Sequence, residues 1–204
     1  MAVIANFGVP SGSTAGDATT LMPKLQYRFR VRFGNLGGLT KHDTVTQNVV
    51  SVGRPTLTHE EIVVDSYNSK MYLAGKHNWE TISLVLRDDM NSEVIKQIGA
   101  QLNRQVDHAD QSSATAGSSY KFSMTIETLD GNNGTSNDPA AFDAWELNGC
   151  YLTSVAYGDL NYATSDMVQV TATIRFDHAK HLVGNADLLS DVDRGNAGTG
   201  ATLG

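Results

Sequence analysis

The sequence contains almost no cysteine, which limits what can hold its fold together. Its 204 residues include one cysteine, Cys150, so no disulfide can form within the chain. A chain of this length can bury a stable core without disulfides or a structural metal. Cys150 lies in an alternating strand pattern and has no recognisable histidine partner motif. We therefore expect it to pack in the core and not to act as a nucleophile.

Long apolar runs and a basic N-terminal region are also missing. No stretch approaches the roughly 18 apolar residues that a membrane-spanning helix needs. The first residues, Met-Ala-Val-Ile-Ala-Asn, lack the basic charge of a secretion signal. We therefore expect no membrane anchor and a protein that folds in a cytoplasm. In that compartment the glycosylation sequon Asn133-Gly-Thr135 is expected to be coincidental.

Positive charge is in deficit. The chain has 15 Lys and Arg against 22 Asp and Glu, a net charge of −7. Proteins bind nucleic acid largely through Lys and Arg contacts to phosphate, so this composition argues against nucleic-acid binding. An acidic protein can still form a passage for DNA that does not bind the DNA. The exception is Arg28, Arg30 and Arg32, which share one side of a predicted strand and indicate either a solvated face or an outer, subunit-contact face that meets an acidic partner.

Apolar and polar residues alternate with a period of two through the middle of the chain. This pattern predicts strands at 26–33, 44–52, 79–89, 120–129, 145–157 and 168–177. Gly149 interrupts one of them, which indicates a β-bulge or a close approach of two backbones. The prediction is a mainly β protein of one domain, 1–204, built as an antiparallel β-sandwich or barrel.

One flanking α-helix is expected at about 92–104. Asn91 or Ser92 can cap its first turn, and Glu93 complements the positive end of the helix dipole. Its apolar stripe consists of Val94, Ile95, Ile98 and Leu102. A polar loop, 105–119, should follow it. The ends, 1–20 and 184–204, are rich in Gly, Ser, Ala and Thr and are expected to be flexible or ordered only by a partner.

A long polar arm, Asp65 to Asn78, separates two β-runs. Connections longer than about 12 residues are usually functional or disordered. This arm is unusually apolar around Met71, Tyr72 and Leu73, so we expect it to bind a partner in an assembly. It should be poorly ordered in an isolated subunit and fixed in a polymer.

Three short patterns are compatible with chemistry, but each has a simpler explanation. His178 and His181 have metal-ligand spacing, yet no Cys or Asp pattern completes a site, so we expect a solvated strand exit. The loop 130–138 lacks the glycine and the final acid of a calcium loop, so we expect a turn. Asp88 and Asp89 are expected to begin the turn into the helix. We predict no catalytic residues, no metal and no cofactor.

The order of several short motifs resembles tail tube proteins of contractile-tailed bacteriophages. The resemblance covers roughly 23–180. The motifs are Phe29-Arg-Val-Arg-Phe33, Arg54-Pro55, Tyr67-Asn-Ser-Lys70, Leu73-Ala-Gly75, Trp79-x-x-Ile82 and Asp88-Asp89, then Leu147–Tyr157 and Asp166–Phe176. The chain departs from the family in its longer tails and its longer 105–119 loop.

The resemblance implies a hexameric ring in which strands of six subunits form one continuous β-barrel. Rings stack into a tube, and the same fold serves inner tubes of type VI secretion systems and phage-like bacteriocins. On this basis the arm stacks rings through Tyr67, Asn68, Lys70, Met71, Tyr72, Leu73, Lys76 and His77. The channel would be lined by polar strand residues, for which the candidates are Ser123, Thr125, Glu127, Gln169, Thr171 and Thr173.

The function implied is structural: a virion protein that polymerises into the DNA-conducting inner tube of a contractile phage tail. Its expected partners are itself, the tail sheath, the tape measure, baseplate and terminator proteins, and DNA that passes without specific binding. Assembly would take place in the bacterial host cytoplasm. Two alternatives stay open: the inner tube of a phage-like injection or type VI secretion system, and a monomeric β-sandwich binding module.

Overall fold

The computed structural model describes residues 24–38, 43–131, 141–183 and 186–187. The expected tail 1–20, the sequon at Asn133 and nearly all of 184–204 lie outside this range. The described chain is mainly antiparallel β, as predicted. In chain order the elements are β1 Phe29–Gly34, a 3-10 turn Leu36–Gly38, α1 Asp43–Gln47, β2 Val49–Val52, β3 Leu57–Ser66, β4 Ser69–Trp79, β5 Ile82–Arg87, α2 Glu93–Gln105, α3 Gly117–Tyr120, β6 Phe122–Leu129, β7 Ala141–Tyr157, β8 Gln169–Arg175, β9 His178–Val183 and β10 Ala186–Asp187.

Most strands belong to one curved sheet in the order β1-β6-β7-β8-β5-β2, and β9 pairs with β7 and β10. The remaining strands, β3 and β4, pair with each other. The long strand β7 organises the sheet, because its first part pairs with β6 and β9 and its last part with β8. Between these parts Asn148 and Gly149 lie opposite the single residue Ser123. The predicted bulge is therefore present, and Gly149 has φ +72. A Cβ at this position would collide with the side chain of Asp177 and not with a second backbone.

Both halves of the sheet bury their apolar faces in the same core. Strict alternation along β5, β6 and β8 places every second side chain inward. Cys150 is among these buried residues, as predicted, and burial raises the pKa of its thiol to about 12. The core side chains include Val31, Leu84, Leu86, Met124, Ile126, Leu147, Val170 and Ile174.

The predicted flanking helix is present as α2, but its capping residue is different. Val94 and Ile98 are buried, and Ile95 and Leu102 pack against the core. Ser92 has a left-handed backbone and makes no capping bond with its side chain. Instead the Asp89 carboxylate accepts a hydrogen bond from the Glu93 backbone N–H at 2.8 Å. The expectation of a side-chain cap from Asn91 or Ser92 was therefore wrong, because a turn closed by the Ser92 N–H and the Asp89 carbonyl brings the Asp89 side chain to the first turn of the helix.

Two segments differ from the predicted elements. The strand expected at 44–52 begins as α1 and becomes extended at Val49. Val45, which lies in this helical turn, is buried. The Asn48 side-chain amide donates a hydrogen bond to the Thr44 carbonyl at 3.0 Å. A single helical turn is too short for periodicity to distinguish it from a strand. The loop expected at 105–119 contains the start of α3 and a β-bridge from Val106 to Ser113.

The two ends of the described chain meet at a buried carboxylate. Asp143 on β7 lies 3.0 Å from the Lys24 ammonium and 2.9 Å from Nε2 of His181 on β9, whose ring stacks on Trp145. His181 is therefore not at the solvated strand exit that the sequence predicted. Burial raises the pKa of Asp143, but the hydrogen bonds and charges of Lys24 and His181 outweigh it, and the pKa lies below its usual range.

We expect Asp89→Ala to lower the free energy of unfolding by about 1 kcal/mol, because the first turn of α2 loses its side-chain acceptor. Urea denaturation of the purified subunit measures this. The matched control is Asn91→Ala, which removes an exposed side chain from the same turn. An equal effect of both substitutions would contradict the assignment of the cap.

The Asp143 carboxylate should make stability depend on pH. Its pKa is depressed in the folded chain, so its stabilising contribution is complete above the unfolded pKa of about 4 and is lost as the pH falls through the lower folded value. The unfolding free energies of wild type and Asp143→Asn should therefore converge below about pH 4. Urea denaturation at a series of pH values tests this, with the exposed Asp159→Asn as control. A constant difference across the series would refute the linkage.

Candidate assembly surfaces

The arm predicted at 65–78 belongs to a β-hairpin that contains one register shift, between His59 and Glu61. β3 and β4 pair from Leu57 opposite Trp79 to Ser66 opposite Ser69, and Tyr67 with Asn68 forms the turn. The expectation of an irregular polar connection was therefore wrong. The apolar residues that made it unusual alternate in register with those of β3, and such alternation favours a paired strand over a loop. We call residues 57–79 the ribbon.

The ribbon exposes apolar side chains on both of its faces. Cross-strand partners share a face, so Ile62, Val64, Met71 and Leu73 form one apolar row. Val63 and Tyr72 lie on the opposite face. These six side chains are between 38% and 62% exposed. A two-stranded ribbon is marginally stable alone in water, and apolar exposure of this extent indicates a binding surface.

The root of the ribbon is fixed firmly to the body. Trp79 is buried and packs near Trp145 and Phe176, with ring centroids 6.4 and 5.6 Å away. The Asn78 side-chain oxygen accepts a hydrogen bond from Arg175 at 2.8 Å. Above this root, every residue of β3 is exposed, and so is nearly all of β4. The ribbon therefore projects from a rigid attachment, and all eight predicted arm residues lie on β4 or in the turn.

The arginine face and half of the predicted channel lining are the same surface. Arg30 pairs with Glu127 and Arg32 with Thr125 across β1 and β6, so these side chains point to the same side. Ser123 belongs to this side as well. The sequence left the arginines on either a solvated face or an outer, subunit-contact face, and it placed Ser123, Thr125 and Glu127 in the channel. The outer-face alternative and the channel assignment cannot both hold for one surface.

Glu127 is not a free negative charge on this surface. Its carboxylate lies 2.6 Å from the Arg30 guanidinium and 3.3 Å from that of Arg32, and its side chain is mostly buried. Arg28 donates instead to the Asp130 carbonyl at 2.9 Å. The β1–β6 face is therefore an ion-paired surface with more arginine than acid.

The other three channel candidates form a separate surface, on which Arg87 of β5 lies opposite Gln169 of β8. Gln169, Thr171 and Thr173 alternate along β8 and point away from the core. Their neighbours on β5 and β7 include Ser83 and Ser154, each paired with Thr173. β6 pairs with the first part of β7 and β8 with its last part, so the Gly149 bulge separates the two groups. The six candidates do not form one continuous patch.

The sequence did not predict a cleft between β1 and β2. It measures about 940 Å³ and lies between these two edge strands of the sheet. Three of its lining residues belong to patterns noted in the sequence, namely Arg28, Phe29 and Arg54, but these patterns did not indicate a cleft. A smaller cleft of about 310 Å³ lies at the ribbon root. Within the described ranges, no three His, Cys, Asp or Glu residues are placed to hold a metal, and no helix is long and apolar enough to cross a membrane.

The mainly antiparallel β fold of this chain is shared with chains of tail tubes and contractile injection systems. No protein-family model and no curated protein sequence matches the chain. Among solved structures, a chain of the anti-feeding prophage cap, described as a tube terminating cap, superposes with a TM-score of 0.61 at 15% identity, covering 85% of this chain and 99% of that one.

Two further structures show the same fold. A chain of the sheath–tube complex of an extracellular contractile injection system, PVC, has a TM-score of 0.56 at 16% identity, covering 79% of this chain and 92% of that one. The SPP1 tail tube has a TM-score of 0.51 at 12% identity, with coverages of 79% and 80%. The resemblance to tail tube proteins is thereby confirmed at the level of the fold.

We expect Glu127→Gln to lower the free energy of unfolding by about 2 kcal/mol, because it removes the charge that two arginines share. Glu146→Gln is the matched control, because it makes the same chemical change on the same side of the sheet. Glu146 has no ion pair among the described residues. Urea denaturation compares them. Equal, small effects would show that the Arg30–Glu127–Arg32 contact contributes little.

Proposed function

We propose that this chain is the inner-tube subunit of a contractile phage tail, assembled as stacked hexameric rings. The observation that carries the proposal is the ribbon, which exposes apolar side chains on both faces and is attached to the body at its root. The shared fold with tube chains supports the same conclusion. The role is structural, without substrate turnover.

Contacts between subunits would satisfy the edges of the sheet. β1 and β2 end the strand order and have no partner strand on their outer sides among the described residues. Exposed edges of this kind promote association with other chains unless they are covered. A contact between different surfaces of identical subunits produces a ring when its rotation closes, and a second, non-closing contact stacks the rings. The ribbon, with Tyr67 at its tip, is the proposed stacking element.

We assign the channel to the β8 surface. Gln169, Thr171 and Thr173 are neutral and hydrogen-bonding and would not themselves bind phosphate. Arg87, opposite Gln169, is the basic residue of this surface. The arginine-rich β1–β6 surface would bind phosphate, so it suits the outside of the tube, where a sheath protein with acidic residues is its proposed partner. This assignment removes Ser123, Thr125 and Glu127 from the channel.

The remaining partners follow from the same proposal. The subunit would contact a tape measure protein inside the tube and baseplate and terminator proteins at its ends, in a virion tail assembled in the bacterial cytoplasm. Detection of this chain in purified, DNA-containing particles would test the location.

An injection-system tube is the second candidate. The AFP and PVC chains superpose with TM-scores of 0.61 and 0.56, against 0.51 for the SPP1 tail tube. The two machines share a tube and differ in cargo. Recovery of the chain in particles that contain no DNA would favour this candidate over the phage tail.

Electron microscopy of the purified protein tests the tube directly. We expect rings or tubes of uniform bore, whereas a persistent 21.9 kDa monomer would refute assembly and favour the monomeric binding module.

The substitution Met71→Asp should abolish tubes and leave subunits or single rings, because it places a charge in the apolar row of the ribbon. Met90→Asp is the matched control, since Met90 is fully exposed in the turn before α2. Circular dichroism should show that both variants fold. Tubes of normal length from Met71→Asp would exclude the ribbon from stacking.

A further inference from the structure

The cleft between β1 and β2 has the properties of a docking site for a strand. Its apolar residues include Phe29, Val50, Val52 and Ile126. Val50 is 39% exposed, although β-branched side chains of sheet proteins are usually buried or covered. The volume, about 940 Å³, is that of a large ligand pocket and is sufficient for a row of aliphatic side chains.

Both walls of the cleft are strand edges. β1 bonds to β6 on one side and β2 bonds to β5 on one side, and the order of the sheet leaves their other edges facing the cleft. Arg54 Nη2 lies 3.4 Å from Thr128 Oγ1, so the walls approach each other near this point without pairing. A strand placed between them would find free backbone N–H and C=O groups.

The rim of the cleft is basic. Lys24, Arg28 and Arg54 line it, and no acidic side chain occurs among its described lining residues. Lys24 is neutralised by its ion pair with Asp143. Arg28 and Arg54 bond to a carbonyl and a hydroxyl group, and neither bond cancels their charge. The cleft therefore favours an occupant that is apolar and acidic.

The ribbon has the matching properties. Its strand β3 carries Glu60, Glu61 and Asp65, no Lys or Arg, and the apolar residues Ile62 and Val64. Asp65 lies 3.6 Å from Lys70 on the exposed surface, while Glu60 and Glu61 precede the apolar row. The outer edge of β3 is unpaired in the described structure. The unpaired edge of β3, its acidic residues and its apolar side chains therefore all complement the cleft.

We propose that the ribbon of one subunit docks its β3 edge into the β1–β2 cleft of a second copy. The inference rests on the proposed function, in which the ribbon joins rings, and it specifies the surface that receives the ribbon. Because β2 leads into β3 through Arg54, each subunit carries the donor and the acceptor side by side. Donor and acceptor are different surfaces, so every subunit can give one ribbon and receive another.

Thiol cross-linking in assembled tubes tests this contact. Ile62→Cys places a thiol in the ribbon and Ser51→Cys places one in the cleft. The native Cys150 is buried with a pKa of about 12, so it should not react. A short bis-maleimide should convert the double variant into covalent oligomers. The control joins Ile62→Cys with Ser123→Cys, the same change at an exposed position outside the cleft, and should remain monomeric on denaturing gels.

The pattern of products separates the docking site from the stacking role. Oligomers extending beyond the hexamer support docking between rings. A ladder that ends at the hexamer supports the cleft contact but refutes stacking by the ribbon. Intact tubes without cross-links refute the cleft as the docking site while leaving the tube function in place. If the unmodified chain forms neither rings nor tubes, the proposed function is refuted. The proposal that a second copy of the chain occupies the cleft is then refuted as well.

A charge-reversal series covers the case in which the cysteine variants do not assemble. Arg54→Glu should abolish tubes, and combining it with Glu60→Arg and Glu61→Arg should restore them. Continued absence of tubes in the folded triple variant would overturn the charge pairing.

The N-terminal residues, 1–23, join the cleft at Lys24 and are the alternative occupant. Cross-linking of Ile4→Cys, but not Ile62→Cys, to Ser51→Cys would show that this segment fills the cleft instead. Removal of residues 2–22 should leave the cross-link between Ile62→Cys and Ser51→Cys unchanged if the ribbon is the occupant.

Discussion

Backbone pairing between strands is the constraint on which this structure depends, and the described subunit leaves that pairing incomplete. The sheet curves around one core, but β1 and β2 end it without meeting. The ribbon consists of two strands with no third. Unpaired N–H and C=O groups are tolerated where water reaches them and become contacts where another chain does. The same constraint therefore links the shape of the subunit to its proposed assembly.

The core and the ribbon divide the apolar residues between stability and association. Side chains such as Leu84, Met124 and Ile174 fill the interior of a single subunit. Ile62, Met71 and Leu73 have the same hydrophobicity but lie outside it. Trp79 joins the two regions, because it is buried at the root while the residues before it project into solvent. Burial of the ribbon by a second copy would add apolar contact that the isolated subunit lacks.

Electrostatics then distinguishes the outer surfaces. Arg30 and Arg32 share Glu127 on the β1–β6 side, whereas the β8 side carries Gln169, Thr171 and Thr173. These surfaces lie on different parts of the sheet because β7 pairs with β6 before its bulge and with β8 after it. One long strand therefore connects an ion-paired surface with a second surface that is rich in Thr and Gln.

The sequence by itself determined the alternating strands, the amphipathic helix α2, the burial of Cys150 and the bulge at Gly149, because each depends on local periodicity or on one residue type. Tertiary structure decided those features that depend on which strands pair with each other. The arm became a hairpin because β4 has β3 in register, and Glu127 became an ion-paired residue because β1 lies beside β6. The cleft between β1 and β2 follows from the curvature of the whole sheet, which no local pattern encodes.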